Sequence, residues 1–516
     1  MDCDKKNTIQ QVPTAGAETH KDGETVEIGE TKTVSLDGHG DIGYELYQEA
    51  LQVDPTERER IAKTVKLKID YILLPLMCIA YLLGFLDKAA LNYANAYGLQ
   101  ADLGLHGNQY SWVAAISNFG YLIFAYPSTL MLQKWPIGKF VSCMLMVWGV
   151  LLLLTPTTKN IGGILAIRFF LGAAEACIAP AWMLLTGMFW TRQEQPFRMA
   201  WWLGCNGLAQ LAGAGIAWGL GHTTGPVESW KLIFVTIGAI SFGYGLICLA
   251  VLPSTPKDFY FFNHQETVVA VWRIADNKTG VKHGEILWYQ IKEALRDPKV
   301  VCIAGAALCL GIVNGAIQNF MTTLLKSFGY DDIKSVEYQM PSGAFQFIPT
   351  VAFGLLNSYI PNFLVVSISI GFLVPLAGMI GIATIPLSHQ LALTACAWLQ
   401  PFVGVAIILS WTLVSSNIAG HTKRMFVNGL EFVLYAAGNI LGPFLFLPSE
   451  KPRYLTAISA LAGVEGAGIL FTVLLGLWMW RDNRLRDQSE DQPTEGQIVG
   501  FSDFTDIENR AFRYRL

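Results

Sequence analysis

Six ionisable side chains lie inside otherwise apolar stretches of this 516-residue chain: Asp87, Lys88, Arg168, Glu175, Glu431 and Glu465. A charge in hydrocarbon costs at least ~2.5–3.5 kcal/mol per group, so each should meet a partner or a polar cavity. Arg168 and Glu175 are seven residues apart, which on a helix puts them on one face about 10.5 Å apart along the axis. They cannot pair directly without bending toward each other, so a substrate, a water or a residue of another helix could lie between them. Two readings stand side by side: an anion-binding Arg with a protonatable Glu nearby, or a structural ion-pair network with the stretch that carries Asp87 and Lys88. Lys88, Asn92 and Asn95 are spaced i, i+4, i+7 and form one polar stripe, with snorkelling of Lys88 to the membrane surface as the bland alternative.

Asn428, Glu431, Tyr435 and Asn439 form a second stripe, and shorter i, i+4 pairs recur at Asn206/Gln210, Asn314/Gln318 and Ser342/Gln346. Stripes of this kind are costly against lipid and are expected to turn toward a shared interior. Any single pair would serve equally as interhelical contact. Glu465 sits among Ala462, Gly463, Gly466 and Gly468 and reads as a helix-packing position. Enzymatic chemistry has no support: there is no nucleophile–base constellation in a polar segment and no GxxxxGKS or GxxxxGKT phosphate loop. The nine cysteines form no CxxC pair, and no His/Cys cluster suggests a metal. No cofactor is expected.

The elements that must carry these residues follow from composition. Hydrophobic residues make up 52% and charged residues only 15% of the chain, with net charge −4 and mean hydropathy +0.39. A disordered chain is excluded, and a net negative charge offers nothing to attract nucleic acid. Of 76 charged side chains, 49 fall in residues 1–68, 253–298 and 481–516. Elsewhere we find twelve apolar stretches of spanning length, at 70–90, 109–132, 139–156, 162–188, 198–220, 231–252, 300–325, 337–357, 363–385, 391–415, 425–447 and 455–480. The predicted class is an all-α membrane protein with twelve transmembrane helices in two six-helix halves. The expected domains are a disordered tail 1–60, an N-terminal half 61–252, a central linker 253–298, a C-terminal half 299–481 and a tail 482–516. Within the first of these, Asp54, Pro55 and Glu57 read as a helix start. Basic residues flanking the first span (Lys63, Lys66, Lys68) and the last (Arg481, Arg484, Arg486) put both termini and the linker in the cytoplasm. The Asn277-Lys278-Thr279 sequon then falls on the wrong side for glycosylation.

Several motifs together resemble a known family. Arg168-Phe169-Phe170-Leu171-Gly172 is similar to the RxxxG motif in the fourth helix of the major facilitator superfamily. Gln133-Lys134-Trp135-Pro136-Ile137-Gly138-Lys139, Leu86-Asp87-Lys88 and the run from Trp190 to Arg198 resemble the fungal allantoate-permease-like branch of its anion:cation symporters. So do Lys68-Ile69-Asp70 with Leu74-Pro75, Leu252-Pro253-Ser254-Thr255-Pro256, Asn277-Lys278-Thr279-Gly280, Glu293-Ala294-Leu295, and the tail from Asp503 to Tyr514. The resemblance implies proton symport of a small organic anion, such as allantoate, nicotinate or pantothenate, by a plasma-membrane protein working as a monomer. It assigns Lys88 and Arg168 to the carboxylate and Asp87 and Glu175 to the proton, while Asn92, Asn206, Asn314, Gln318, Asn428, Glu431, Tyr435 and Asn439 would complete the substrate path. An exporter of a fungal secondary metabolite and a non-transporting nutrient receptor are the alternatives. Two departures stand out: Lys88 replaces the Arg of many members, giving a point charge instead of a fork, and the loop from Asn357 to Asn362 lacks the usual charges.

Overall fold

A computed structural model describes residues 42–191, 194–223, 225–275, 287–450, 453–488, 505–509 and 512–516. By its contacts the chain divides into Met1–Glu45 and Leu46–Leu516. The expected tail therefore lies largely outside the described residues, as does the Asn277 sequon. Two helices are described within residues 1–60: Ile42–Gln52, and one from Pro55 with Asp54 at its N-cap.

Among the described residues every regular element is helical. Span 1 is Leu74–Ala96, reached through the helix Pro55–Lys68 and a wide turn at Ile69–Leu73. Pro75 explains that turn, because it has no N–H for the Tyr71 carbonyl and its ring crowds that oxygen. The N-terminal half continues with span 2 (Gln109–Lys134), span 3 (Ile137–Leu154), span 4 (Ile161–Glu175 and Ile178–Phe189), span 5 (Gln195–Gly221) and span 6 (Ser229–Val251). The C-terminal half has span 7 (Pro298–Ser327), span 8 (Met340–Tyr359) and span 9 (Leu364–Thr384). Span 10 (Gln390–Trp398 and Val403–Asn417), span 11 (His421–Leu441) and span 12 (Leu455–Gln488) complete it. Among the described residues, nine helical stretches are long and apolar enough to cross a membrane on their own. Spans 2, 5 and 8 have the length, at 26, 27 and 20 residues, but carry polar groups such as Asn118, Asn206 and Gln346 that lower their hydropathy.

Spans 4 and 10 hold the same rank in their halves, and both are interrupted. Pro180 leaves the Ala176 carbonyl without its helical partner and loosens the chain at Ala176–Cys177; Pro401 sits in a tight turn at Gln400–Phe402.

Polar networks cover the side that bears the linker, hereafter the linker side. On the N-terminal half, Arg198 is 2.6 Å from Asp70, which also accepts from the Trp190 indole at 2.7 Å. Glu194 joins Lys66 at 3.0 Å and Arg273 of the linker helix His264–Ala275 at 2.9 Å. On the C-terminal half, fully buried Lys423 meets Asp506 at 2.7 Å, Glu293 at 2.9 Å and Asp297 at 3.0 Å. Lys299 reaches Asp482 at 3.0 Å and the Tyr514 hydroxyl at 2.6 Å. The chain end packs onto the C-terminal half on this side. Arg515 donates its amide to Asn417 at 2.6 Å and its guanidinium to the Asn357 carbonyl, and the Leu364 amide donates to the Leu516 carbonyl at 2.9 Å. A cation from the C-terminus thereby serves the otherwise uncharged loop between spans 8 and 9.

Candidate functional site

A cavity of about 140 Å³ lies between the halves, walled by spans 1–5 on one side and 7, 8, 10 and 11 on the other. Span 1 supplies Tyr81, Phe85 and Lys88 at i, i+4, i+7, one helical face. Glu175 enters from span 4 at the last residue before the proline break, and its carboxylate pairs with the Lys88 ammonium. These two are the only Asp, Glu, Lys or Arg side chains that line it among the described residues. Carboxamides populate the rest of the polar wall: Asn118, Asn206, Asn314, Gln318, Gln346 and Asn439. Asn314 donates to Asn439 at 2.7 Å, whereas the Gln318 amide nitrogen and the Asn206 carbonyl are buried without a hydrogen-bond partner in the described structure. Aromatic rings finish it, with Trp411 against Phe432 at 5.2 Å and Tyr81 edge-on to Trp202 at 5.0 Å.

Behind the cavity lies a second acid–base pair. Arg168, 2% exposed, is 3.3 Å from Asp87, whose other oxygen accepts from the Trp148 indole at 3.0 Å. Two glycines make this possible. A side chain at Gly84 would collide with the Trp148 ring, and one at Gly172 with the Ser117 carbonyl, so Trp148 lies close against span 1 and span 2 packs tightly on span 4. Arg168 also borders a small polar recess of about 60 Å³ that shares Lys88, Asn314, Gln318, Tyr435 and Asn439 with the main cavity. Its Nε has no hydrogen-bond partner in the described structure.

Of the residues singled out from sequence, Lys88, Glu175, Asn206, Asn314, Gln318, Tyr435 and Asn439 come together in the main cavity. The network reading of Arg168 matches its pairing with span 1, and Glu175 pairs with the same helix. Asn92 lies elsewhere: Thr322 of span 7 donates to it at 2.6 Å, and it donates to Gln339 at 3.2 Å. Asn95 likewise bonds Thr323 at 3.0 Å. The expected stripe divides, with Lys88 in the cavity and the two Asn residues fastening the halves at the far side. Ser111 adds to that seam by donating to the Pro443 carbonyl at 2.9 Å. Glu431 is 2% exposed, with the Ser410 side chain beside its carboxyl; Glu465 is fully buried without a hydrogen-bond partner in the described structure; and neither they nor Asn428 line the cavity. Sequence reasoning missed Trp148, Tyr81, Tyr121 and Trp411, because an aromatic residue in a span has no signature that separates a cavity wall from a lipid face. Asn118, an isolated amide within span 2, was a usable signal.

Residues 77–443 match the Major Facilitator Superfamily. The chain belongs to that superfamily. It is therefore a multi-pass membrane transporter of small molecules and not an enzyme. It is 33% identical to an uncharacterised transporter of Schizosaccharomyces pombe over 95% of this chain and 94% of that one. With the allantoate permease of Saccharomyces cerevisiae it shares 32% identity over 94% of this chain and 92% of the permease. Among solved structures, a bacterial homologue of the human lysosomal transporter Spinster, inward-facing and unoccupied, superposes with a TM-score of 0.60 at 13% identity, over 83% of this chain and 97% of that one.

Proposed function

We propose that this superfamily member is a proton-coupled importer of a small organic anion, with its linker side in the cytoplasm of a plasma-membrane monomer. The observation that carries this reading is the Lys88–Glu175 pair in the cavity wall. Empty, this pair leaves the wall neutral. A substrate carboxylate that takes the Lys88 ammonium strands the Glu175 carboxylate, and a proton on Glu175 restores neutrality. Either ligand alone leaves a net charge in a low-dielectric cavity, which opposes movement of that state through the membrane. Only the empty and the doubly loaded forms are neutral, and that is the coupling.

Asp87 and Arg168 support the pair from behind. Arg168 borders the recess beside Lys88, where a second carboxylate oxygen could be held; Asp87 would be the second proton acceptor. The polar seam at Asn92, Asn95 and Ser111 closes the side away from the linker, consistent with an inward-facing state. The carboxamides suit a substrate rich in hydrogen-bonding groups, as allantoate is for the yeast relative.

Uptake of labelled carboxylates into proteoliposomes, with and without an inward proton gradient, tests the proposal. Glu175→Gln should keep substrate exchange but lose gradient-driven accumulation. Undiminished accumulation in that variant would remove Glu175 from coupling.

A further inference from the structure

We infer that the short linker helix Trp288–Arg296 is a binding surface for anionic phospholipid headgroups. Its nine residues present an inverted pattern. Gln290 and Ala294 are buried and Glu293 half-buried, while Leu295, Trp288, Lys292, Arg296 and Tyr289 are exposed. At 100° per residue those five fill one continuous arc of about 120°. The arc holds two cations, two amphipathic aromatics, a leucine and no acid. Trp288 is 70% and Leu295 60% exposed, a costly arrangement against water and a favourable one in a headgroup layer.

The helix lies at the depth this requires. Asp297 caps span 7 directly after it, accepting from the Lys299 amide at 3.0 Å. Lys299 in turn reaches Asp482 on span 12 at 3.0 Å. That contact sets the start of span 7 level with a belt in which Arg481 stacks on Trp478 and Arg484 on Trp480, at 5.2 and 5.4 Å. Trp and Arg in such a belt mark the membrane surface, and the exposed arc continues it. A basic arc at that level complements anionic headgroups. The opposite face of the helix binds the C-terminal half: the Gln290 side-chain carbonyl accepts from the Lys423 amide at 3.0 Å, and Glu293 pairs with the Lys423 ammonium. Lipid held on the outer face therefore bears on span 11.

The test is tryptophan quenching in vesicles containing equal mole fractions of brominated phosphatidylcholine or brominated phosphatidylserine, with the Trp288→Phe variant subtracted to isolate one of the 15 tryptophans. Both lipids should quench Trp288, the anionic one about twofold more. High salt, or the double change Lys292→Gln and Arg296→Gln, should equalise the two lipids and leave quenching by phosphatidylcholine intact, which also shows that the double variant is folded. An unquenched Trp288, or equal quenching of the unaltered protein by both lipids, overturns the inference. Neither outcome bears on proton coupling, so this inference and the transport reading fail separately.

Discussion

Asp87 and Lys88 are adjacent in sequence yet take different partners, because neighbours on a helix point about 100° apart. One turns to the buried Arg168 and Trp148, and the other enters the cavity to meet Glu175. Their substitutions should differ accordingly. Lys88→Gln should leave the fold intact and weaken anion binding at least tenfold, read by substrate-dependent thermal shift. Trp148→Phe keeps an aromatic side chain but shortens it and removes the N–H bonded to Asp87, a bond worth about 1.5–3 kcal/mol when the acceptor is charged. It should lower the melting temperature of the purified protein by several degrees; an unchanged melting temperature would show that Asp87 does not depend on that indole.

At the scale of elements, the C-terminal segment is part of the folded C-terminal half. Asp506 and Tyr514 sit within the cluster around Lys299 and Lys423, and burial together with Asp506 pushes the Tyr514 hydroxyl up, so it stays a neutral donor. Removing residues 505–516 strips a carboxylate from two buried cations, a loss of about 3–5 kcal/mol for a broken buried pair. The truncated protein should melt far lower, while Tyr514→Phe should cost only about 1–3 kcal/mol; detergent melting curves separate the two. The N-terminal clamp has a pH signature. Burial alone would raise the Glu194 carboxyl, but Lys66 and Arg273 outweigh it and hold the group below its ordinary range. A depressed folded value stabilises above the unfolded value of about 4.3 and is lost as pH falls through the folded value. Stability should therefore be flat in this component from neutral pH down to about 5 and fall in stronger acid. In Glu194→Gln that acid-labile component should vanish from melts across the same range.

At the scale of the whole molecule, the far-side seam holds the two halves together. Asn92 bonds to Thr322 and Gln339, and Ser111 to Pro443, each across the halves. Breaking the seam should shift the population toward an outward-facing form. Spin labels at the exposed positions His106 and Lys334, in a background without reactive cysteines, report the separation of the far ends. Asn92→Ala should lengthen or broaden that distance distribution; an unaltered distribution would mean the seam does not set the equilibrium.

Much of this was legible before any tertiary structure. The price of charge in hydrocarbon confined the charged residues to tails and linker, revealed the spans by length, and marked Asp87, Lys88, Arg168 and Glu175 as needing partners. Spacing placed Lys88 and Glu175 on their helices, but it could not say which neighbour each would meet. That depends on how helices lean together, and here it turns on contacts such as Gly172 on Ser117 and Gly84 beneath Trp148. Asn92 carried the same local signal as Lys88, and only the approach of span 7 made it a fastener instead of a cavity residue. The C-terminal segment read as a polar tail, because its partners Lys299, Asn357, Asn417 and Lys423 lie up to 215 residues away. Local periodicity reports which face of a helix is polar; only the packing of the other helices decides whether that face meets a cavity, a seam or a clamp.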